Sequence, residues 1–204
     1  MDVTVRPAEL EDGADDLLYL SAQRYYDAYA GSERTARRLL RRVHPKPGHP
    51  ASASRCRVAV ANGRVVGVVV GFPAGDGEAL ARRFLTLTAP RIPPWRWPRL
   101  LRHLNAAAGM SPTPALGSWY VDALAVAEDV RRQGVARALL ADAEAIARET
   151  GATGVSLDTG LENTPARRLY EAGGYEQRDL RRARDEQAAH AIGGAGFVGF
   201  FKPL

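Results

Sequence analysis

Residues 55–73, RCRVAVANGRVVGVVVGFP, constrain the fold more than any other stretch of this chain. Two β-branched runs flank Asn62-Gly63, the pair best suited to the positive φ angles of a two-residue turn, so an antiparallel hairpin is expected. VTVRPA at 3–8 alternates and reads as an opening strand. SWYVDALAV (118–126), GVSLDT (154–159), YEQRDL (175–180) and GFVGFFKPL (196–204) read as further strands. An amphipathic helix is expected over about 9–30, with Leu17, Leu18, Tyr25, Tyr26 and Tyr29 at helical spacing; the tyrosine stripe reads as core. A basic helix covers about 32–43 and ends in a loop at Pro45, Pro47, Gly48 and Pro50. GVARALLADAEAIARET (134–150) sets Val135, Leu139, Leu140, Ala143, Ile146 and Ala147 on one side, with Gly151 as its stop, and NTPARRLYEAGG (163–174) is the last helix. A hairpin feeding strand, helix, strand, helix and two closing strands describes a mixed α/β sheet with local parallel pairing.

Residues 74–117 depart from this rhythm. Helical pieces near 78–87 and 98–108 flank PRIPPWRWP, and the whole resembles an insertion or lid. Trp95 and Trp97 either cover a ligand or pin the irregular segment to the body, and the insert is expected to narrow the cleft. At 204 residues with 46% hydrophobic side chains, one domain with a real core is the expectation. No apolar run approaches the roughly 20 residues of a membrane span, and MDVTVRPAEL has no signal-peptide pattern, so a cytoplasmic location is expected. Cys56 has no partner for a disulfide or a cysteine metal cluster and reads as a small apolar strand residue. The net charge is +5, yet only Lys46 and Lys202 are lysines. The arginine clusters at 33–42 and 178–186 read as solvated helix faces, so neither nucleic acid nor a membrane is expected as a partner. His44, His49, His103 and His190 show no metal spacing, and no Ser-His-Asp arrangement is expected.

VRRQGVARALL (130–140) is the stretch with chemical content. A helix start carries unpaired N–H groups and the positive end of the dipole, which suits phosphate. Gly134 admits a phosphate close to the main chain, and Arg131, Arg132 and Arg137 add charged donors. The stretch is neither a Walker loop nor a GxGxxG fingerprint.

With its companions, this stretch resembles the fingerprint of the GNAT superfamily of acetyl-CoA-dependent N-acetyltransferases, R/Q-x-x-G-x-G/A, met by Arg131, Gly134 and Ala136. The family's N-x-x-A-x-x-L-Y signature followed by E-x-x-G-F/Y is met by Asn163, Ala166, Leu169, Tyr170, Glu171, Gly174 and Tyr175. The resemblance implies a single GNAT domain over 1–204, with strands 119–126 and 155–159 splayed and the insertion at about 74–117 lying before them. It implies acetyl-CoA as co-substrate, with main-chain groups of Leu124, Ala125 and Val126 along the pantetheine and thioester. The backbone amides of Gln133, Gly134, Val135, Ala136 and Arg137 would hold the pyrophosphate, with the Arg131 and Arg132 side chains as charged donors and Asn163 also on the cofactor side. Tyr170 matches the position that protonates departing CoA; a thiol near ~8.5 and a tyrosine near ~10 are close enough for that transfer. An attacking ammonium near ~10.4 must lose a proton, and Asp122, expected to share a strand face with Tyr120 and Leu124, is a candidate to attract the amine or take its proton. Asp158 reads as a strand-end or turn residue. The implied activity is acetyl transfer to a primary amine of a small-molecule acceptor; the alternative is an acyl-CoA-binding sensor with little catalysis. Members of the family often form dimers, so the resemblance allows a homodimer.

Overall fold

The computed structural model describes residues 2–184, 189 and 194–204. Its strands are β1 (Thr4–Pro7), β2 (Cys56–Ala61), β3 (Arg64–Pro73), β4 (Trp119–Val126), β5 (Gly154–Gly160), β6 (Glu176–Arg182) and β7 (Gly196–Pro203). They form one sheet in the order β1-β2-β3-β4-β5-β7-β6. Every neighbouring pair is antiparallel except β4 with β5. The turn between β2 and β3 has Asn62 at φ 52° and Gly63 at φ 74°, the mirror-image turn anticipated from that pair.

Helices cover both faces. On one lie α1 (Ala14–Ser21), α2 (Gln23–Ala30), α3 (Glu33–Val43), α4 (Gly77–Thr88) and α5 (Trp97–Met110). Their Leu18, Tyr19, Leu40, Leu80 and Leu100 share one apolar cluster with Val58, Val68, Val70 and Phe72 of the sheet. On the other face are α6 (Val135–Glu149) and α7 (Thr164–Ala172), where Val135, Leu139, Leu140, Ala143 and Tyr170 meet Val69, Val121, Val155, Leu157 and Phe200. Ile146, assigned to the apolar side of α6, is only partly buried.

Three expectations change. The helix anticipated over 9–30 is two helices, broken at Ala22 (φ −149°). Twelve residues separate buried Leu17 and Leu18 from buried Tyr29 and Ala30, about 120° out of phase on a continuous helix, so the break returns both pairs to the core. The insertion is an added helical layer rather than a lid: α4 and α5 pack on the earlier helices through Leu80, Ile92 and Leu100. Finally, Arg178, Arg181 and Arg182 belong to β6 and not to a helix; the charged, exposed strand blunts the edge of the sheet. The rest of that cluster, 185–186, lies outside the described residues, as does His190. The arginines of α3 do form a solvated helix face, with Arg37 bonding Asp16 and Glu33 at 2.9 and 2.8 Å.

The α6–β3 seam sets the register of this architecture. A Cβ on Gly67 would lie 2.9 Å from the Leu139 methyl and 3.1 Å from both the Ala125 carbonyl oxygen and Val135 Cγ1. Overpacking of this kind costs about 1–3 kcal/mol. Gly67→Ala is therefore expected to lower the urea midpoint by a corresponding amount without changing the slope of the transition.

Candidate functional site

The strands β4 and β5 are paired only where Trp119, Tyr120 and Val121 face Val155, Ser156 and Leu157. From Asp122 onward β4 has no strand on that edge. A cleft of about 1010 Å³ opens there, walled by Asp122–Val126, the 130–137 loop and helix start, residues 158–166 of β5 and α7, and Tyr170, with Ser21–Tyr25 at one end. The break at Ala22 is what brings α1 and α2 to the cleft as a corner rather than as a rod.

One end is built for an anion. Arg132 (φ 66°) and Gly134 (φ 88°) both take the left-handed conformation, and Gly134 caps α6 with no side-chain bond to its first amides. A Cβ on Gly134 would meet nothing within 4 Å, so the space before the helix is open. The exposed side chains of Arg132 and Arg137 stand beside it, and Arg131 is held by Glu128 at 3.2 Å. Unpaired amides, dipole and guanidinium groups fit a phosphate-bearing substrate such as the one the sequence implies. Leu124–Val126, Arg131, Arg132 and Gly134–Arg137 all line the cleft; Gln133 is exposed beside the loop but is not on the lining. Asn163 lines it too, although its side chain is occupied locally, accepting from the Ala166 amide and donating to Thr159 Oγ1 at 3.0 Å.

The other end carries carboxylates and tyrosines. A β-bulge between β3 and β4 pairs Val70 with Ala123 and Gly71 with Val121, which leaves Asp122 without a cross-strand partner. The bulge flips the alternation beyond it. Tyr120 packs with the α1–α5 face, whereas Leu124 packs with the α6 face, so the expectation that Asp122 shares a face with both is overturned. Asp122 is reached by water through the cleft, yet protein atoms crowd it on the remaining sides. That crowding, followed by the charge of Asp158, pushes its pKa up to about 7. Asp158 is not a turn residue either. It sits within β5 opposite Gly199, accepts a 2.5 Å hydrogen bond from the Tyr120 hydroxyl, and is raised to about 6 by burial despite that bond. The two carboxyls titrate as a coupled pair.

Tyr170 is buried and lines the cleft, with its ring against Phe200 and Tyr175 at centroid distances of 5.5 and 6.0 Å. Burial and then the Asp158 charge raise its pKa far above the ordinary tyrosine value, so it is a weaker acid than a free tyrosine while Asp158 is ionised. Tyr25, assigned to the core with its stripe, lines the cleft instead; burial, Tyr29 and Asp122 raise it to about 12. Trp95 and Trp97 do not line the cleft and do not narrow it. The insertion reaches the site elsewhere. Pro112–Ala115 wall a smaller cavity of about 290 Å³ that shares Asp158 with the main cleft and is also bordered by Tyr120.

Sequence reasoning missed Asp158 and Tyr25. The signal available for Asp158 was its siting, like that of Asp122, as an acid among apolar strand residues.

The acetyltransferase (GNAT) family profile matches residues 22–175. No curated protein matches the chain. Among solved structures, an acetyltransferase is similar at 21% identity over 98% of this chain and 99% of its own, with a TM-score of 0.71. An N-acetyltransferase from Staphylococcus aureus Mu50 is similar at 14% identity over 98% and 100%, with a TM-score of 0.70. Polyamine N-acetyltransferase of Drosophila melanogaster, which forms N-acetylagmatine, is similar at 20% identity over the full length of both, with a TM-score of 0.61.

Replacing Asp122 by Asn tests the crowding at that end of the cleft. With a folded pKa raised from 3.8 to about 7, the stabilising contribution of the carboxyl is complete below 3.8 and is lost as pH rises through 7. Calorimetry is expected to show Asp122→Asn melting above the wild type on the alkaline side of pH 7, with the gain shrinking on acidification and vanishing near the ordinary carboxyl value.

Proposed function

We propose, from the premise that the chain belongs to the acetyltransferase (GNAT) family, that its cleft transfers acetyl from acetyl-CoA directly to the primary amine of a small cationic acceptor. The family makes the protein an acyl-CoA N-acetyltransferase; the acceptor class and the residue roles are the proposal. One observation carries it: a single cleft joins an open basic helix start, an unpaired strand edge, and two carboxyls crowded by protein beside tyrosines.

Acetyl-CoA, bound there, supplies an activated thioester. The amides at the start of α6, with Arg132 and Arg137, would hold its phosphates, and the free edge of β4 at Leu124–Val126 would hydrogen-bond its amide-bearing arm as an added strand does. Asp122 and Asp158 favour a cationic acceptor, since the structure pairs neither with a lysine or arginine among the described residues. The side chain of Tyr25 borders the same space, and an aromatic face beside a carboxylate suits an ammonium group. A polyamine acetyltransferase of similar fold is in keeping with this acceptor class.

Before it can attack, the amine must give up a proton. At about 7 the pKa of Asp122 covers roughly half of the gap between an ordinary carboxylate and an ammonium near ~10.4, which suits a general base. Tyr170 is held high mainly by its burial and secondarily by the charge of Asp158, so a proton placed on Asp158 would ease only the smaller part. To that extent Tyr170 becomes a better donor to the departing thiolate.

Two measurements test the reading, both following CoA release with a panel of polyamines and agmatine against neutral amines. Tyr170→Phe is expected to lower kcat by about 100-fold or more while acetyl-CoA affinity by calorimetry stays unchanged; unchanged turnover removes the acid role. For the wild type, kcat/KM is expected to rise with pH through about 7, as the Asp122 carboxyl ionises, and in Asp122→Asn that limb disappears. An identical limb in the variant assigns the base elsewhere.

A further inference from the structure

Residues 79–121 contain six arginines and no aspartate or glutamate. Four of the six are committed locally: the Arg96 guanidinium lies directly on Gly31, Arg91 donates to the Leu87 carbonyl, Arg82 pairs with Glu78 at 2.5 Å, and Arg102 Nε donates to the Pro98 carbonyl at 3.3 Å. Arg99 and Arg102 are exposed on α5, and among the described residues neither forms a salt bridge, in contrast to Arg37 and Arg41 of α3, which pair with acids of α1. The same short segment holds three of the largest exposed apolar side chains: Trp95 is 80% exposed, Trp97 47% and Leu101 58%.

These side chains are held in place rather than frayed. Leu100, His103 and Met110 bury the opposite side of α5, and Trp97 Nε1 donates to the Ile92 carbonyl at 3.0 Å. Along the exposed side Trp97, Leu101 and Ala108 recur at helical spacing, with Arg102 flanking this stripe and Arg99 exposed on the far flank of the helix.

An occupant of this face must accept aromatic and aliphatic groups and also neutralise unpaired guanidinium groups. A second copy of the chain would set like charges against each other across a self-complementary contact. Nucleic acid answers the charge and stacks on tryptophan but offers nothing to an exposed leucine. An anionic lipid surface answers all three: headgroups to arginine, the interfacial zone to tryptophan, and the acyl boundary to leucine. No helix among the described residues is long and apolar enough to cross a membrane, so the contact would be peripheral.

We infer that the N-terminal part of α5, with the turn before it, is a docking surface for anionic lipid. The buried side of the same helix reaches the acceptor end of the cleft, where His103 packs on Tyr25 at a centroid distance of 4.6 Å. Docking would therefore place that end of the enzyme near the bilayer.

The test is co-sedimentation of the full chain with phosphatidylcholine vesicles, with and without phosphatidylglycerol, while following tryptophan emission. Binding is expected only with phosphatidylglycerol, with a blue shift and with loss at high salt. Arg102→Glu is expected to weaken it about fivefold or more, Arg99→Glu, on the far flank, by less, and Trp95→Ala with Leu101→Ala to abolish the shift. Arg182→Glu, which changes the net charge equally from the edge strand β6, is expected to change little. Acetyl-CoA affinity, measured in parallel, shows that each variant is folded. Absence of binding, or an equal loss in Arg182→Glu, overturns the inference. Tighter retention of duplex DNA than of vesicles, with the same variants impaired, overturns it in favour of nucleic acid.

Discussion

The parting of β4 from β5 after Val121 is the constraint on which the rest of this molecule depends, because a parallel pair left unzipped inside a sheet exposes backbone groups that something must satisfy. The bulge on the opposite edge of β4 falls at the same place. It releases Asp122 from the ladder at the point where the strands diverge and reverses which side chains face each helical layer beyond it. A carboxylate released from the ladder, an open strand edge and a cleft thus arise at one local irregularity. The surrounding sheet, antiparallel everywhere else, is regular enough to bear its cost.

The cleft is polarised along its length. At the start of α6 the chain gathers positive potential from amides, dipole and arginines without burying any of it, since Arg131, Arg132 and Arg137 are all exposed. At the far end protein crowds the carboxyls on the sides away from the cleft, and Asp122 and Asp158 respond by holding their protons more tightly. Solvation accounts for the asymmetry: a phosphate can be met by flexible surface cations, whereas tuning a carboxylate toward neutrality requires crowding by protein. Tyr120, Tyr25 and Tyr170 supply much of that crowding and are themselves raised by it.

Helices α4 and α5 act on the site from behind. They thicken the layer over α1–α3, fix α2 through the contacts of Tyr29 with Phe84 and Tyr25 with His103, and deliver Pro112–Ala115 to the smaller cavity at Asp158. The tryptophans that draw the eye in the sequence point away from the cleft, toward solvent.

Much of this was legible in the order of residues. The Asn62-Gly63 turn, the apolar stripe of α6, its uncapped start behind Gly134 and the paired signatures ending at Tyr175 are local features, in which neighbours along the chain dictate conformation. The family and the open helix start at Gly134 followed from them. What the residues could not reveal depended on groups distant in sequence. The bulge at Asp122 is a mismatch of register between β3 and β4; the promotion of Asp158 from strand end to half-buried partner of Tyr120 requires 38 residues of intervening chain to fold back. Likewise the break at Ala22 answers to a sheet that helix α1 alone does not describe. Periodicity records which side of an element is apolar, while the tertiary structure decides what that side meets, and a carboxylate's chemistry is set by what it meets.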